Sequence, residues 1–253
     1  AQECAAVSEE ISIRVNFGNP MALFPLDHVT LMPHAVLPLH IFEPRYRHMV
    51  SDALDGPGQI AMAVTMPGEG GDPYRPTLRP AVCVGQIVQH HKLPDGRYNI
   101  ALQGVCRARI MQELPDDEDV PYRRAYLQPL GTAKIDEEEL AGARARLAEM
   151  LAETTLTDMT DAREVVKYLQ DEDFPTSAVL ELVTFTLLPD GELRYRLLAE
   201  PEAGRRALMI VRELTHIEEL LRRAQAQRRV LWRAGDSDDE RKKSAPPKGC
   251  SWN

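Results

Sequence analysis

The hydrophobic pattern of this chain changes its period near residue 131, and that change restricts the folds open to it. Before this point, short apolar runs bounded by Gly, Pro and Asp predict β-strands. After it, apolar residues recur at helical spacing. Strands followed by helices are typical of the α+β class. We therefore expect a β-rich unit over residues 21–130 and a helical unit over residues 131–233.

One hairpin organises the β-rich half. Asp95-Gly96 lies between two runs in which apolar and polar residues alternate, and this dipeptide is a strong signal for a tight turn. Gly104 interrupts the return strand and predicts a bulge or a sharp bend, while Pro38 restricts its own run to an edge or bulged strand. Bent strands joined by long loops predict a small irregular barrel.

The helical half contains one ambiguous segment. Residues 178–188 are rich in β-branched side chains, so a strand remains an alternative, although Thr176 or Ser177 could cap a helix there. Pro201 begins the longest predicted helix, whose apolar residues from Ala207 to Leu221 share one face.

The two ends of the chain lack a periodic apolar pattern. We expect residues 1–20 to form a loose arm, with Met21 as a possible natural start, and residues 234–253 to be disordered. The sequence has neither a secretory signal nor an apolar run of membrane-spanning length, and its cysteines are widely spaced. A cytoplasmic location without a membrane partner is the expectation. Cys83 and Cys106 fit small core residues, although a pairing between neighbouring strands stays open.

Several kinds of chemistry lack their usual motifs. No lysine follows a glycine, so a phosphate-binding P-loop is excluded, and the commonest hydrolase motifs are missing. The histidines lack the compact spacing of zinc ligands. We therefore expect neither enzymatic activity nor a cofactor or metal. The net charge of −9 disfavours nucleic acid as a partner.

The tetrapeptide Glu43-Pro44-Arg45-Tyr46 follows an apolar run abruptly. Pro44 suits the first position of a helix, which puts Glu43 at or beside the N-cap. With the adjoining Phe42, the residues Glu43, Arg45 and Tyr46 form a candidate peptide-binding or partner-binding site. Alternatives are a charged helix end on the surface and a core role for the two aromatic rings. Our hypothesis for the opposite charges is that buried hydrogen bonds between them join strand to helix.

Four arginines in two strand segments form an alternative site. Arg107 and Arg109, together with Arg123 and Arg124, could adjoin as a basic patch for RNA. Alternatively, these charges keep a sheet edge soluble.

Four ordered segments together resemble the N-terminal domain of the ATP-dependent Lon protease, which is also found in cereblon and in stand-alone bacterial proteins. They are LFPLDHVTLMPHAVLPLHIFEPRYRHMVSDAL, VGQIVQHHKLPDGRYNIALQGVCRARI, YRRAYLQPL and LLPDGELRYRLLAEPEAGRRALMIVRELTHIEELL. The resemblance covers roughly residues 21–224. It implies a PUA-like pseudo-barrel followed by a helical bundle that recognises polypeptides or partner proteins.

No segment of this sequence resembles the ATPase module or the Ser–Lys protease module of Lon. The expected function is therefore that of a non-catalytic module that binds unfolded polypeptide or a partner protein. An RNA-binding PUA-like domain is the alternative, and an unrecognised hydrolase is the third.

Overall fold

The structure is a computed structural model that describes residues 13–27, 29–66, 75–131, 137–159 and 162–242. The strands are β1 (Met21–Leu26), β2 (Val36–Ile41), β3 (Gln59–Thr65), β4 (Leu78–Lys92), β5 (Tyr98–Glu113) and β6 (Arg124–Pro129). The helices are α1 (Pro44–Leu54), α2 (Glu137–Glu153), α3 (Ala162–Gln170), α4 (Thr176–Leu187), α5 (Gly191–Ala199) and α6 (Ala203–Lys242), with a short 3-10 helix at Thr155–Asp158. The predicted α+β class is confirmed.

The sheet closes on itself around five strands and leaves the sixth outside. The strand order is β2-β5-β4-β3-β1-β6, and β6 also pairs with β5, which completes the ring. The β1–β3 pairing is parallel and the other strand pairings are antiparallel. One edge of β5 pairs first with β2, over residues 98–103, and then with β6, over residues 108–113. Strand β2 therefore lies beside the barrel as an edge strand, as Pro38 predicts.

A bulge in β5 separates these two pairings. The register with β4 shifts between Val84, which faces Cys106, and Gly85, which faces Gly104, so Val105 is the extra residue. A Cβ atom on Gly104 would lie 2.1 Å from the carbonyl oxygen of Met32. Glycine is thus required for steric reasons at the place where the sequence predicts the bulge.

Two apolar clusters form the core. The smaller one takes buried residues from all five strands of the ring and fills the barrel interior. The larger one continues from the outer face of the strands into α1 and the helical half, where α5 packs against β4. Cys83 belongs to the larger cluster and Cys106 packs against the smaller one, and both are free thiols. The pairing that the sequence left open is not formed.

Residues 176–187 form a helix, so the strand alternative is wrong for this segment. The N-cap is Pro175, and neither Thr176 nor Ser177 occupies that position. The carboxylate of Glu137 instead accepts hydrogen bonds from the backbone N–H groups of Thr176, at 2.7 Å, and Ser177, at 3.3 Å. The cap thus comes from another helix, which is why local sequence does not show it.

The described residues at both ends of the chain are ordered: the N-terminal ones contact the barrel and the C-terminal ones continue a helix. The side-chain amide of Gln59 donates to the carbonyl of Arg14, and Phe17 packs against the smaller cluster. At the other end, α6 reaches Lys242, inside the segment predicted to be disordered. Residues 1–12 and 243–253 lie outside the described residues. Within the described part of the chain, no helix combines the length and apolar character needed to cross a bilayer.

Candidate functional site

The outer edge of β2 carries backbone groups that no other described strand uses. The N–H of Gly104 donates to the carbonyl of Ala35, at 2.9 Å, and bonded pairs alternate along an antiparallel ladder. Odd-numbered residues of β2 therefore bond to β5. The N–H and C=O groups of Val36 and His40, and the C=O of Pro38, point to the open edge. Because Pro38 occupies an outward position, its missing N–H costs no bond to β5.

A shallow trough adjoins this edge. Its cavity of about 490 Å³ is lined by Pro38, Leu39, His40, Gln89, His90, His91, Asn99, Ile100 and Ala101. The Nδ1 atom of His40 lies 2.6 Å from the amide oxygen of Asn99, the residue opposite it on β5. The trough combines the apolar surface of Pro38 and Ala101 with polar imidazole and amide groups. These are the features that accommodate alternate side chains of an extended chain.

The two aromatic rings of the candidate site have opposite environments. Phe42, directly after β2, is 61% exposed, and its ring stacks loosely on that of His40. Tyr46 is only 5% exposed and meets the ring of Phe24 edge-on, with 4.6 Å between ring centroids. Burial raises the pKa of the Tyr46 hydroxyl. Phe42 is therefore open to a partner, whereas Tyr46 belongs to the core.

The opposite charges around Pro44 form a surface pair, which corrects the hypothesis of buried hydrogen bonds. The Nε–H of Arg45 donates to Glu43 over 3.0 Å, but both side chains are 40% exposed. Glu43 occupies the N-cap position of α1 without a side-chain capping bond, and Pro44 begins the helix as predicted. The guanidinium of Arg45 also lies 4.5 Å from the centroid of the Tyr46 ring.

The four arginines of the alternative site do not form one basic patch. Arg107 is buried against Glu181, at 2.5 Å, and Arg123 pairs with Glu113, at 2.6 Å. Arg124 lies 2.8 Å from Asp117, and Arg109 is exposed on β5. Carboxylates thus neutralise three of the four charges, and the RNA-binding alternative is not favoured. In the described ranges, the acidic, histidine and cysteine side chains form no group of three suited to a metal ion.

A comparison of the sequence with models of known families identifies the family. A sequence model of the ATP-dependent protease La (LON) substrate-binding domain matches residues 20–216. The chain belongs to this family. The match covers the barrel, the helices α1–α5 and the first part of α6, which is the region that carries the sequence resemblance.

Two solved LON domains share the fold. The chain is similar to the Lon N-terminal domain protein from Xanthomonas campestris, with a TM-score of 0.56 and 19% identity over 76% of this chain and 97% of that one. It is also similar to the N-terminal domain of the Mycobacterium avium complex Lon protease, with a TM-score of 0.60 and 14% identity over 78% and 98% of the two chains. Each match spans about three quarters of this chain and nearly all of the solved domain.

Full-length Lon proteases match only in part. The chain is 22% identical to Lon protease of Desulfosudis oleivorans over 79% of this chain and 24% of that protein. It is 28% identical to Lon protease of Escherichia coli strain K12 over 46% of this chain and 14% of that protein. The chain thus spans less than a quarter of each of these two curated relatives.

Sequence reasoning missed the partners of Arg107. Glu181 and Arg206 meet it at the junction of barrel and helices. The sequence did contain a signal for a buried charge pair, because Glu181 is the one charged residue between Asp173 and Asp190. A lone carboxylate in an apolar helix requires a buried partner.

Proposed function

We propose that this LON domain binds extended polypeptide segments by adding them as a strand to the open edge of β2, with Phe42 as an apolar anchor. The family description, a substrate-binding domain of a protease, supports polypeptide as the class of ligand. The observation that carries the proposal is the outward N–H and C=O groups of Val36 and His40 at an unpaired edge. Main-chain pairing of this kind gives affinity without requiring one sequence.

The surroundings of the edge support an unfolded ligand. Phe42 lies immediately beyond the last residue of β2, so a chain paired with β2 would reach its exposed ring. The trough beside Pro38 and His40 offers apolar and hydrogen-bonding surface to alternate side chains. Selectivity for exposed apolar residues in an extended chain follows from this combination. In this proposal the domain contributes recognition and no chemistry.

Fluorescence anisotropy with a labelled, permanently unfolded polypeptide tests the proposal. We expect Phe42→Ala to weaken binding about tenfold, because an aromatic anchor that becomes buried in the complex contributes more than 1 kcal/mol. Val36→Pro removes one outward N–H without removing a bond to β5, so it should weaken binding while leaving the urea midpoint unchanged. Tyr126→Ala is the matched control, since Tyr126 is an exposed ring on β6, away from this edge.

Three peptides of one sequence separate main-chain pairing from simple apolar contact. One peptide is unmodified, and the other two carry N-methyl groups on alternate residues, in registers that differ by one residue. Strand addition predicts that N-methylation on the bonding register abolishes binding and that shifting it by one residue restores it. Equal binding of all three peptides, or equal losses in Phe42→Ala and Tyr126→Ala, would show that the edge of β2 is not the site.

A further inference from the structure

A second cavity lies where the barrel meets the helices, beside the loop that precedes β2. It has a volume of about 200 Å³ and is formed by five segments: the loop before β2, the bulged part of β5, the residues that follow β6, the first turns of α4 and the start of α6. Its lining residues include His34, Arg107, Ser177, Glu181 and Arg206. The exposed His34 stands at the solvent side, and the two arginines lie at the inner wall.

Two buried guanidinium groups share one carboxylate here. Arg107 donates from Nη2 to Glu181 at 2.5 Å, with 7% and 4% of the two side chains exposed. The Nε atom of Arg206, whose side chain is 4% exposed, lies 3.5 Å from the other oxygen of Glu181. Buried charges are normally paired one to one, because transfer from water to the interior is costly. This group instead has two positive charges for one negative charge.

The surroundings of Arg206 reflect the excess positive charge. Burial and the neighbouring Arg107 lower the pKa of Arg206 to about 10, while Glu181 and, to a smaller extent, Glu200 act in the opposite direction. Glu200 is half-buried and already accepts a hydrogen bond from the N–H of Glu202. The Nη1 atom of Arg206 donates to the carbonyls of Glu200 and Pro201, which are neutral acceptors.

Both arginines also retain unused hydrogen-bonding capacity. Their Nε atoms are buried and make no hydrogen bond within the described part of the chain, and that of Arg206 has only the 3.5 Å ion-pair contact with Glu181. An unsatisfied buried donor costs about 1–3 kcal/mol, so two beside one cavity require an explanation. The side chain of Ser177, one helical turn before Glu181, adds a hydroxyl donor to the same cavity wall.

We propose that this cavity binds a small oxyanion, a carboxylate or phosphate group, between Arg107 and Arg206. Guanidinium groups pair with both kinds of anion through parallel N–H···O bonds, and one bound negative charge balances the cluster. Ser177 donates a further hydrogen bond to the anion, which competes with Glu181 for the two guanidinium groups. None of the residues that line this cavity belongs to β2.

NMR of the arginine side chains tests the proposal on the unmodified protein. Sodium phosphate and sodium acetate are titrated separately at constant ionic strength against sodium chloride, and the Nε–H signals of Arg107 and Arg206 are followed. We expect both signals to shift and saturate with at least one of the two anions. Saturation with phosphate alone indicates a phosphate-bearing ligand, and saturation with acetate indicates a carboxylate-bearing one. Shifts that match those in chloride would overturn the proposal.

Replacement of Glu181, the shared carboxylate, gives a second test, in which the affinity for the anion should rise. Glu181→Gln removes the negative charge that competes with the anion, so anion affinity should rise about tenfold. Glu218→Gln is the matched control, because Glu218 is equally buried and pairs with Arg222 on α6 outside this cavity. Unchanged affinity in Glu181→Gln contradicts the site. If Glu181→Gln does not fold, the titration of the unmodified protein decides alone.

Discussion

At the scale of single residues, the chain contains two glycines with opposite roles. Gly104 faces the carbonyl of Met32 so closely that a Cβ would lie 2.1 Å from its oxygen. A Cβ on Gly142 in α2 would meet no atom within 4 Å beyond its chain neighbours and the backbone of its own helix. We expect Gly104→Ala to lower the free energy of unfolding by about 3 kcal/mol or more, because the backbone at Met32 must move to make room for the methyl group. Gly142→Ala should raise it by about 0.5–1 kcal/mol, since alanine favours helix. Urea unfolding of both variants measures this difference, and similar effects from the two substitutions would contradict it.

Residue-scale prediction from sequence succeeds where covalent geometry decides the conformation. Pro44 at the start of α1 and Gly104 at the bulge follow from the ring of proline and the missing side chain of glycine. The burial of Glu43 and Arg45 was predicted wrongly. Charge placement along the chain does not reveal exposure, which depends on the strands that pack around α1.

At the scale of elements, α4 depends on a carboxylate from α2. Burial alone would raise the pKa of Glu137, but hydrogen bonds from Thr176 and Ser177 outweigh it and lower the pKa below its usual value. The carboxylate therefore stabilises the fold above about pH 4.5, and this contribution is lost as the pH falls through the lowered pKa. We expect Glu137→Gln to cost about 1 kcal/mol at pH 7, as for loss of a helix cap, and progressively less in acid.

Urea unfolding of wild type and Glu137→Gln from pH 7 down to pH 3 measures that dependence. Glu139→Gln is the matched control, because Glu139 is exposed in the same first turn of α2 and shares its helix-dipole environment. A difference between wild type and Glu137→Gln that stayed constant with pH would contradict a role for the ionised carboxylate.

Elements that are specified by local sequence were predicted correctly. The segment that forms α4 shows why local sequence is not always enough. The hairpin of β4 and β5 follows from Asp95-Gly96 and the alternation on either side of it. In α4, β-branched residues favour a strand, but Thr184 and Thr186 donate their hydroxyl protons to carbonyls four residues earlier and so fit a helix. Burial against the neighbouring helices then overrides the local preference.

At the scale of the whole molecule, the barrel and the helices share one apolar cluster. A buried hydrogen bond crosses between them, from the N–H of Ala81 in β4 to the hydroxyl of Tyr195 in α5, at 3.0 Å. We expect Tyr195→Phe to cost about 1–3 kcal/mol, because the N–H of Ala81 stays buried without an acceptor. The loss should appear in both parts together, since a shared core unfolds cooperatively.

Hydrogen exchange resolves this effect by segment. Protection of the most stable amides in β4 and in α4 should fall by the same factor in Tyr195→Phe. Tyr168→Phe, which changes an exposed ring on α3, should leave protection unchanged. Loss confined to the helices would mean that the two parts, which the sequence separates near residue 131, unfold independently.

The two proposed binding surfaces could be predicted from the sequence only in part. Pro38 marks an edge strand and Phe42 adjoins it, so the location of the β2 edge was predictable. The cluster of Arg107, Glu181 and Arg206 joins segments about 75 and 25 residues apart in the sequence. A contact of that range follows from the packed fold and from no local pattern.

The outward position of Pro38 has a consequence for self-association. An added strand finds an N–H donor at Val36, none at Pro38 and another at His40, so the edge cannot offer a continuous ladder of donors. Two outward N–H donors remain for the short segment that we propose as a ligand. Stacking of many copies into fibrils needs an unbroken ladder at every layer, and proline interrupts it. Pro38 thus disfavours this kind of stacking at the β2 edge and limits aggregation of the chain through it.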